Sequence, residues 1–303
     1  MSNMVQYGIW PNCCNNCDFC LRMNRDYETK DKMIELVRGI RENINYVDWK
    51  GKFDAGISLL GGEMYFVTDK DIQSEVMLLI DDIINKILKV SPNPKVKYST
   101  VTNGLYEPSF LYRVIDRIVE AVGIDKVDVN FSYDLKYRFK NEEARLLCLD
   151  NINKFMKRYD YHVGVQMILT QYVIDSVNNG TWDIHKFLEN DIPGGNLCFL
   201  YPHPIHTGKV LPDFQFKRED LLNFVMYLRD EFPGIYLSFV ASTHNSGIFK
   251  YTGWRDKTKD TTQEPILSDG KEEMNPDCGH SILYKCYADS DACLECDLEN
   301  FDR

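Results

Sequence analysis

The chain has 303 residues, of which 44% are hydrophobic and 27% charged, and this composition excludes the disordered, collagen-like and low-complexity classes. Its formal net charge of −11 disfavours nucleic acid as a partner, because proteins that bind duplexes usually present a basic surface. The apolar runs are far shorter than the roughly 18 residues that span a bilayer, so we expect no membrane partner.

Strand-like and helix-like segments alternate along residues 1–240. The strand-like segments are rich in β-branched and aromatic residues and lie at 5–9, 56–60, 96–101, 127–132, 162–169 and 197–201. Amphipathic helical patterns separate them, and the first pattern places five apolar residues on one face: Met33, Leu36, Val37, Ile40 and Ile44. Thr181 is expected to cap a short fifth helix. This alternation predicts an α/β fold of parallel strands, which either closes into a barrel or opens into a doubly wound sheet.

The composition changes near Lys250, where a polar stretch at 250–277 leads into a segment rich in cysteine. We therefore expect an α/β domain at 1–240, and a loop with a Cys-rich module at 241–303. Parallel α/β folds bind their ligands at the carboxyl ends of the strands. The segments that follow the predicted strands are thus expected to form the active face.

Three cysteines follow the first predicted strand with the spacing C-x3-C-x2-C: Cys13, Cys17 and Cys20. Ten cysteines in a chain whose first 30 residues lack the apolar stretch of a signal peptide favour metal or redox chemistry in the cytoplasm. Thiolates select iron–sulfur clusters, zinc or copper(I). Three of them on a tight loop can hold three irons of a 4Fe–4S cluster and leave the fourth open. Cys14 creates a competing register.

Taken in chain order, four motifs resemble those of the radical SAM superfamily. The first is the cysteine motif, with the aromatic Phe19 before its last Cys. Gly61-Gly62-Glu63 resembles the family's G-G-E, and Thr102-Asn103-Gly104 resembles a frequent T-N-G turn. Ser132-Tyr133-Asp134 resembles a common S-x-D near the ribose. The resemblance covers about residues 4–205.

The resemblance implies a partial (β/α)6 barrel of parallel strands with a small Cys-rich C-terminal extension. It implies that Cys13, Cys17 and Cys20 hold a 4Fe–4S cluster and that six residues bind S-adenosylmethionine: Phe19, Gly61, Gly62, Glu63, Asn103 and Ser132. The glycines would let the backbone approach the methionine end, and Glu63 would help to hold its amino group. The activity implied is that of an anaerobic oxidoreductase. It would reductively cleave S-adenosylmethionine to a 5′-deoxyadenosyl radical, with a reductant such as flavodoxin or ferredoxin, and abstract hydrogen from a substrate.

A second group of cysteines lies near the end of the chain: Cys278, Cys286, Cys293 and Cys296. Four cysteines with a C-x2-C pair make a complete ligand set for zinc or a 4Fe–4S cluster. The group loosely resembles the SPASM and twitch extensions of radical SAM enzymes. The short gap between Cys278 and Cys286, and the missing Gly before Cys286, depart from that pattern. An auxiliary cluster and a zinc site both remain open.

The substrate is the least determined property. Auxiliary-cluster extensions are frequent in enzymes of this superfamily that act on peptides, which favours a peptide or protein side chain. The alternative is a nucleotide, nucleobase or other small molecule. A third reading, of another class, is a non-catalytic iron–sulfur or zinc scaffold, which has no need of the Glu63 carboxylate. We also expect Cys148 and Cys198 to be buried core thiols, and Tyr133, Asp134 and Gln166 to point into the active-site cavity.

Overall fold

The computed structural model describes residues 4–10, 12–15, 17, 28–46, 56–90, 97–200, 213 and 216–245. Six strands form one parallel sheet. They are β1 (Met4–Trp10), β2 (Gly56–Gly61), β3 (Lys97–Thr102), β4 (Val127–Tyr133), β5 (Gly164–Ile168) and β6 (Asn196–Leu200). All six predicted strands are thus present, with ends that differ by a few residues.

Helices connect the strands and follow the last of them. They are α1 (Lys30–Tyr46), α2 (Lys70–Val90), α3 (Ser109–Val122), α4 (Glu142–Tyr159), α5 (Gln171–Asn178), α6 (Ile184–Lys186), α7 (Arg218–Glu231) and α8 (Pro233–Asn245). A π-helical turn, Phe187–Asp191, continues α6. Of the described helices, none combines the length and apolar character needed to cross a bilayer.

The strand order decides between the two architectures that the sequence left open. The strands lie in the sheet in the order β1-β2-β3-β4-β5-β6, which is also their order along the chain. In a doubly wound sheet the order of the strands reverses at a switch point, whereas in a barrel each new strand is added on the same side of the previous one. Among the described residues β1 and β6 pair with one neighbour each, so the sheet stays open between them. The partial (β/α)6 barrel is therefore confirmed, and the Cys-rich extension lies outside the described residues.

The two faces of the sheet differ in character, as β4 shows. Its buried side chains alternate with half-buried ones because successive residues of a strand point to opposite faces. The buried Phe131 packs edge-on against Phe155 of α4, with ring centroids 5.8 Å apart, so the buried face is the one that the helices cover. The half-buried Asp128, Asn130 and Ser132 line the opposite face, which we call the inner face. In register with Ser132, the inner face continues to Gln166 on β5 and Cys198 on β6.

The helical patterns are confirmed at most positions and wrong at one cap. Met33, Val37, Ile40 and Ile44 of α1 are buried, as their spacing predicts. Thr181, in contrast, caps no helix. The side chain of Asp183 accepts a hydrogen bond from the backbone N–H of Lys186 and caps α6, because a carboxylate one residue before the helix is well placed to reach its first free N–H groups.

Candidate functional site

The cysteine motif lies directly after β1, at the carboxyl edge of the sheet. Asn15 contacts two of its sulfurs: the backbone N–H of Asn15 donates to Cys13 Sγ at 3.4 Å, and its Nδ2 donates to Cys17 Sγ at 3.2 Å. Cys17 is buried and Cys13 is half-buried. The two sulfurs therefore converge on one residue. Cys20 and Phe19 lie outside the described residues.

The G-G-E turn lies beside this loop. Gly61 ends β2 and pairs with Trp10 of β1, so the turn begins where the cysteine loop begins. The backbone N–H of Glu63 donates to the carbonyl oxygen of Asn12 at 2.8 Å. This bond fixes the turn against the chain segment that carries the cysteines. The Glu63 side chain itself is buried, with 1% of its surface exposed.

Asn103, in the T-N-G turn after β3, joins the other two motifs. Its backbone N–H donates to Glu63 Oε2 at 2.6 Å, and Thr102 Oγ1 donates to the same oxygen at 3.1 Å. The Asn103 side-chain Nδ2 lies 3.5 Å from Cys13 Sγ and 3.4 Å from Cys14 Sγ. The carboxyl ends of three adjacent strands are thus connected through one residue.

The Glu63 carboxyl is in an environment that disfavours its ionised form. Burial raises its pKa to about 8, while the hydrogen bonds from Asn103 and Thr102 act in the opposite direction and the Cys13 thiol adds to the rise. A cation placed against this carboxyl would lower its pKa again. The site is therefore suited to a ligand that brings a positive charge.

We expect the metal-free protein to lose stability as the pH rises from about 4.5 to about 8. In the unfolded chain the carboxyl releases its proton above its ordinary pKa of 4.5, whereas folded Glu63 keeps its proton until about pH 8. The unfolded state then binds fewer protons, so rising pH favours it, by up to about 1.4 kcal/mol per pH unit. Urea denaturation of the wild type and of Glu63→Gln at several pH values measures this. A difference between the two that does not change with pH would contradict the raised pKa.

Gly104 gives the T-N-G turn its shape. Its φ is +64°, and a Cβ there would lie 3.1 Å from the Phe131 ring and 3.4 Å from Cys148 Sγ. The backbone of the turn is therefore both left-handed and closely packed. Only glycine fits this position without strain.

The packing around Gly104 predicts a difference between two alanine variants. Gly180 also has a positive φ, +71°, but a Cβ there would meet nothing within 4 Å. Gly180→Ala is expected to cost about 1 kcal/mol of unfolding free energy for the backbone strain alone. Gly104→Ala is expected to cost about 2–4 kcal/mol, since overpacking against Phe131 is added. Chemical denaturation of both variants measures the difference, and equal costs would show that the turn is not closely packed.

Cys14 shares the Asn103 contact with Cys13 but differs from it in packing against the core. Its side chain packs against the hydrophobic core and faces Asn103. A hydrogen bond with Cys14, together with burial, raises the pKa of the Cys13 thiol, and the same hydrogen bond lowers the pKa of Cys14. Within the described residues, no three His, Cys, Asp or Glu side chains are grouped so that they could hold a metal ion.

The S-x-D motif is divided between the two faces of β4. Ser132 lies on the inner face, at the carboxyl end of the strand. Tyr133 does not point into the cavity as expected: it is buried on the helix-covered face, its ring centroid 5.1 Å from those of Phe139 and Phe187. Asp134 is buried and accepts backbone hydrogen bonds from the loop that follows it, including one from Lys136 at 2.7 Å. Its carboxylate therefore stabilises a turn.

Two polar residues near the site were missed by the sequence analysis. Asn15 contacts the sulfurs of Cys13 and Cys17, and only its position between them in the sequence could have pointed to it. The Tyr106 hydroxyl lies 2.6 Å from Thr102 Oγ1, the atom that donates to Glu63, and no sequence pattern marks it. Cys148 is buried as expected, whereas Cys198 is half-buried and accepts a hydrogen bond from Ser238 of α8 at 3.0 Å.

The C-terminal cysteines lie outside the described residues: Cys278, Cys286, Cys293 and Cys296.

No protein-family model matches the sequence, and no curated protein matches it. Among solved structures, the chain is similar to hexahistidine-tagged anSMEcpe with bound AdoMet, with a TM-score of 0.48 and 18% sequence identity. The match covers 75% of this chain and 57% of that one, so this chain spans just over half the length of the protein it matches.

Proposed function

We propose that this chain is a radical SAM enzyme, which binds a 4Fe–4S cluster through Cys13, Cys17 and Cys20 and cleaves S-adenosylmethionine beside it. The observation that carries the proposal is the position of Asn103. Its backbone N–H donates to Glu63 while its side-chain amide donates to Cys13, so the first three motifs meet at one place. A purely structural thiol site has no need of a buried carboxyl.

The described donors fit an iron–sulfur cluster. The sulfurs of Cys13 and Cys17 both accept N–H groups from Asn15, which places them together at the carboxyl edge of the sheet. Thiolates are the ligands that such clusters require, and N–H donors around the sulfurs stabilise their negative charge. When bound, the cluster would supply the electron that cleaves S-adenosylmethionine into methionine and the 5′-deoxyadenosyl radical, which takes hydrogen from the substrate.

Glu63 would hold the amino group of S-adenosylmethionine. The carboxyl is neutral below about pH 8 when no cation is near, and an ammonium group against it favours the ionised form. The hydrogen bond between them is then charge-assisted. Thr102 and the backbone of Asn103 already hold Oε2 of the carboxyl in place. Because 1% of the Glu63 surface is exposed, neighbouring atoms would move when the amino group reaches the carboxyl.

The inner face supports a peptide or protein side chain as substrate. Asn130 of β4 and Gln166 of β5 are half-buried there, on neighbouring strands. Their side chains offer amide groups, and the half-buried Asp128 on the same face adds a carboxylate, which accepts hydrogen bonds. Such groups match the amides of a peptide, whereas the phosphates of a nucleotide are usually bound by cations or helix N-termini. We further propose that Cys278, Cys286, Cys293 and Cys296 bind a second cluster or a zinc ion.

Anaerobic reconstitution tests the proposal when it is followed by iron and zinc analysis and by electron paramagnetic resonance (EPR) spectroscopy. About eight irons per chain would indicate two clusters, and about four irons with one zinc would indicate a zinc site at the C-terminal cysteines. S-adenosylmethionine is expected to change the spectrum of the reduced protein, because it would bind at the open iron. A spectrum that it leaves unchanged would contradict the proposal.

The substrate class is tested separately with deuterated candidates. Deuterium from a deuterated peptide is expected to appear in the 5′-deoxyadenosine product, since the radical takes a hydrogen atom directly from its substrate. Mass spectrometry of the product measures this transfer. Transfer from a deuterated nucleotide and from none of the peptides would replace the peptide assignment with the nucleotide one.

A further inference from the structure

Asn15 lies in the loop of the cysteine motif, residues 13–20, but is not one of the proposed cluster ligands. Asn15 lies between Cys13 and Cys17, and its backbone N–H donates to Cys13 Sγ at 3.4 Å. Its side-chain Nδ2 lies 3.2 Å from Cys17 Sγ and 2.8 Å from the carbonyl oxygen of Arg138. An amide nitrogen carries two hydrogens, and here each hydrogen has its own acceptor. Both sulfurs therefore receive an N–H group from one residue.

The contact with Arg138 fixes the orientation of this amide. Arg138 lies 123 residues further along the chain, in the loop after β4. The amide cannot turn away from Cys17 without losing its shorter hydrogen bond to that carbonyl oxygen. Asn15 thus ties the motif loop to the loop after β4 and holds its second N–H group toward the sulfur.

We propose that Asn15 is a positioning residue that raises the reduction potential of the cluster, an inference that rests on the proposed function. Hydrogen bonds to the sulfurs are among the factors that set the potential of an iron–sulfur cluster. An N–H donor stabilises the reduced cluster more than the oxidised one, because the reduced cluster carries one more negative charge. The Asn103 amide, 3.5 Å from Cys13 Sγ, is a second donor of the same kind.

The reduction potential of the cluster affects two steps of the proposed reaction. A higher potential makes the cluster easier for a cellular reductant to reduce, and at the same time makes it a weaker electron donor to S-adenosylmethionine. The Asn15 amide would thereby affect both electron transfer from the reductant to the cluster and electron transfer from the cluster to S-adenosylmethionine. Loss of the amide is expected to make the cluster harder to reduce.

Two substitutions of Asn15 and one matched control test this role. Asn15→Ala removes the amide, and Asn15→Asp keeps its size while replacing the amide donor with a carboxylate. Asn153→Ala is the control, because the Asn153 amide also bridges two acceptors, Leu149 O at 3.0 Å and Asp191 O at 2.7 Å. Cys17→Ala, which lacks the motif cluster, gives the signal of any cluster elsewhere in the chain.

The measurement is an anaerobic redox titration of the full-length reconstituted proteins, followed by EPR spectroscopy and without S-adenosylmethionine. In Asn15→Ala the equilibrium constant for reduction is expected to fall about tenfold, which for one electron is about 59 mV. In Asn15→Asp it is expected to fall further, because the carboxylate adds a negative charge beside the cluster. Iron content is expected to remain that of the wild type, and Asn153→Ala is expected to keep the wild-type potential.

Each other outcome contradicts a definite statement. Equal potentials in the wild type and the Asn15 variants, with equal iron, would overturn the role of Asn15 and leave the proposed function intact. The same fall in Asn153→Ala would overturn it as well. Loss of iron from both Asn15 variants but not from Asn153→Ala would show that the amide serves cluster assembly instead. A wild type without a cluster would overturn the proposed function itself.

Discussion

Replacing Cys17 with Ala is expected to cost the protein about four iron atoms per chain and to abolish cleavage of S-adenosylmethionine. Cys17 is buried at the carboxyl edge of the sheet, and its sulfur accepts a hydrogen bond from Asn15. The substitution removes a single atom, so the six-stranded sheet should persist, which circular dichroism checks. Iron analysis and chromatography of 5′-deoxyadenosine measure the two losses.

The neighbouring Cys14 provides the matched control. Asn103 contacts both Cys13 and Cys14, but Cys14 packs against the hydrophobic core, whereas Cys13 and Cys17 converge on Asn15. Cys14→Ala is therefore expected to keep its iron and its activity. Loss of both in Cys14→Ala would mean that the ligand set uses Cys14 in place of Cys13. A Cys17→Ala variant that keeps both would refute the site altogether.

Replacing Glu63 with Gln is expected to weaken binding of S-adenosylmethionine about 10–100-fold while leaving the iron content unchanged. The variant would lose the charge-assisted hydrogen bond that we propose between Glu63 and the amino group, and such bonds contribute about 1.5–3 kcal/mol. The Gln oxygen can still accept from Thr102 and from the backbone of Asn103, so the turn should keep its shape. Isothermal titration calorimetry of the anaerobic, reconstituted protein measures the affinity.

A second Glu→Gln substitution separates this effect from a general loss of charge. Glu75 lies on α2 and pairs with Arg38 and Arg41 of α1. Glu75→Gln is expected to bind S-adenosylmethionine as the wild type does. An affinity in Glu63→Gln equal to that of Glu75→Gln would remove Glu63 from the binding site.

The parallel strands and the position of the motifs could be predicted because both depend on local patterns, whereas the strand order, which separates a barrel from a doubly wound sheet, does not. A buried strand followed by an amphipathic helix predicts a parallel unit, and Glu63 and Asn103 then follow adjacent strands at one edge of the sheet. The prediction for Tyr133 was wrong because successive residues of a strand face opposite ways. If Ser132 lies on the inner face, Tyr133 must face the helices, where Phe139 and Phe187 cover its ring.

Contacts between distant segments could not be predicted in the same way. The amide of Asn15 meets the carbonyl oxygen of Arg138, and nothing in the local sequence of either residue encodes that meeting. The half-buried position of Cys198 likewise depends on the face of β6 that it occupies and on Ser238 of α8. Both contacts arise from tertiary packing.

Formation of 5′-deoxyadenosine by the reconstituted, dithionite-reduced protein tests the central claim most directly. The site at the carboxyl ends of β1, β2 and β3 predicts that the wild type converts S-adenosylmethionine to 5′-deoxyadenosine and that Cys17→Ala does not. A wild type that carries its full complement of iron and sulfide and forms no 5′-deoxyadenosine would contradict the claim. It would leave an iron–sulfur protein without this radical chemistry.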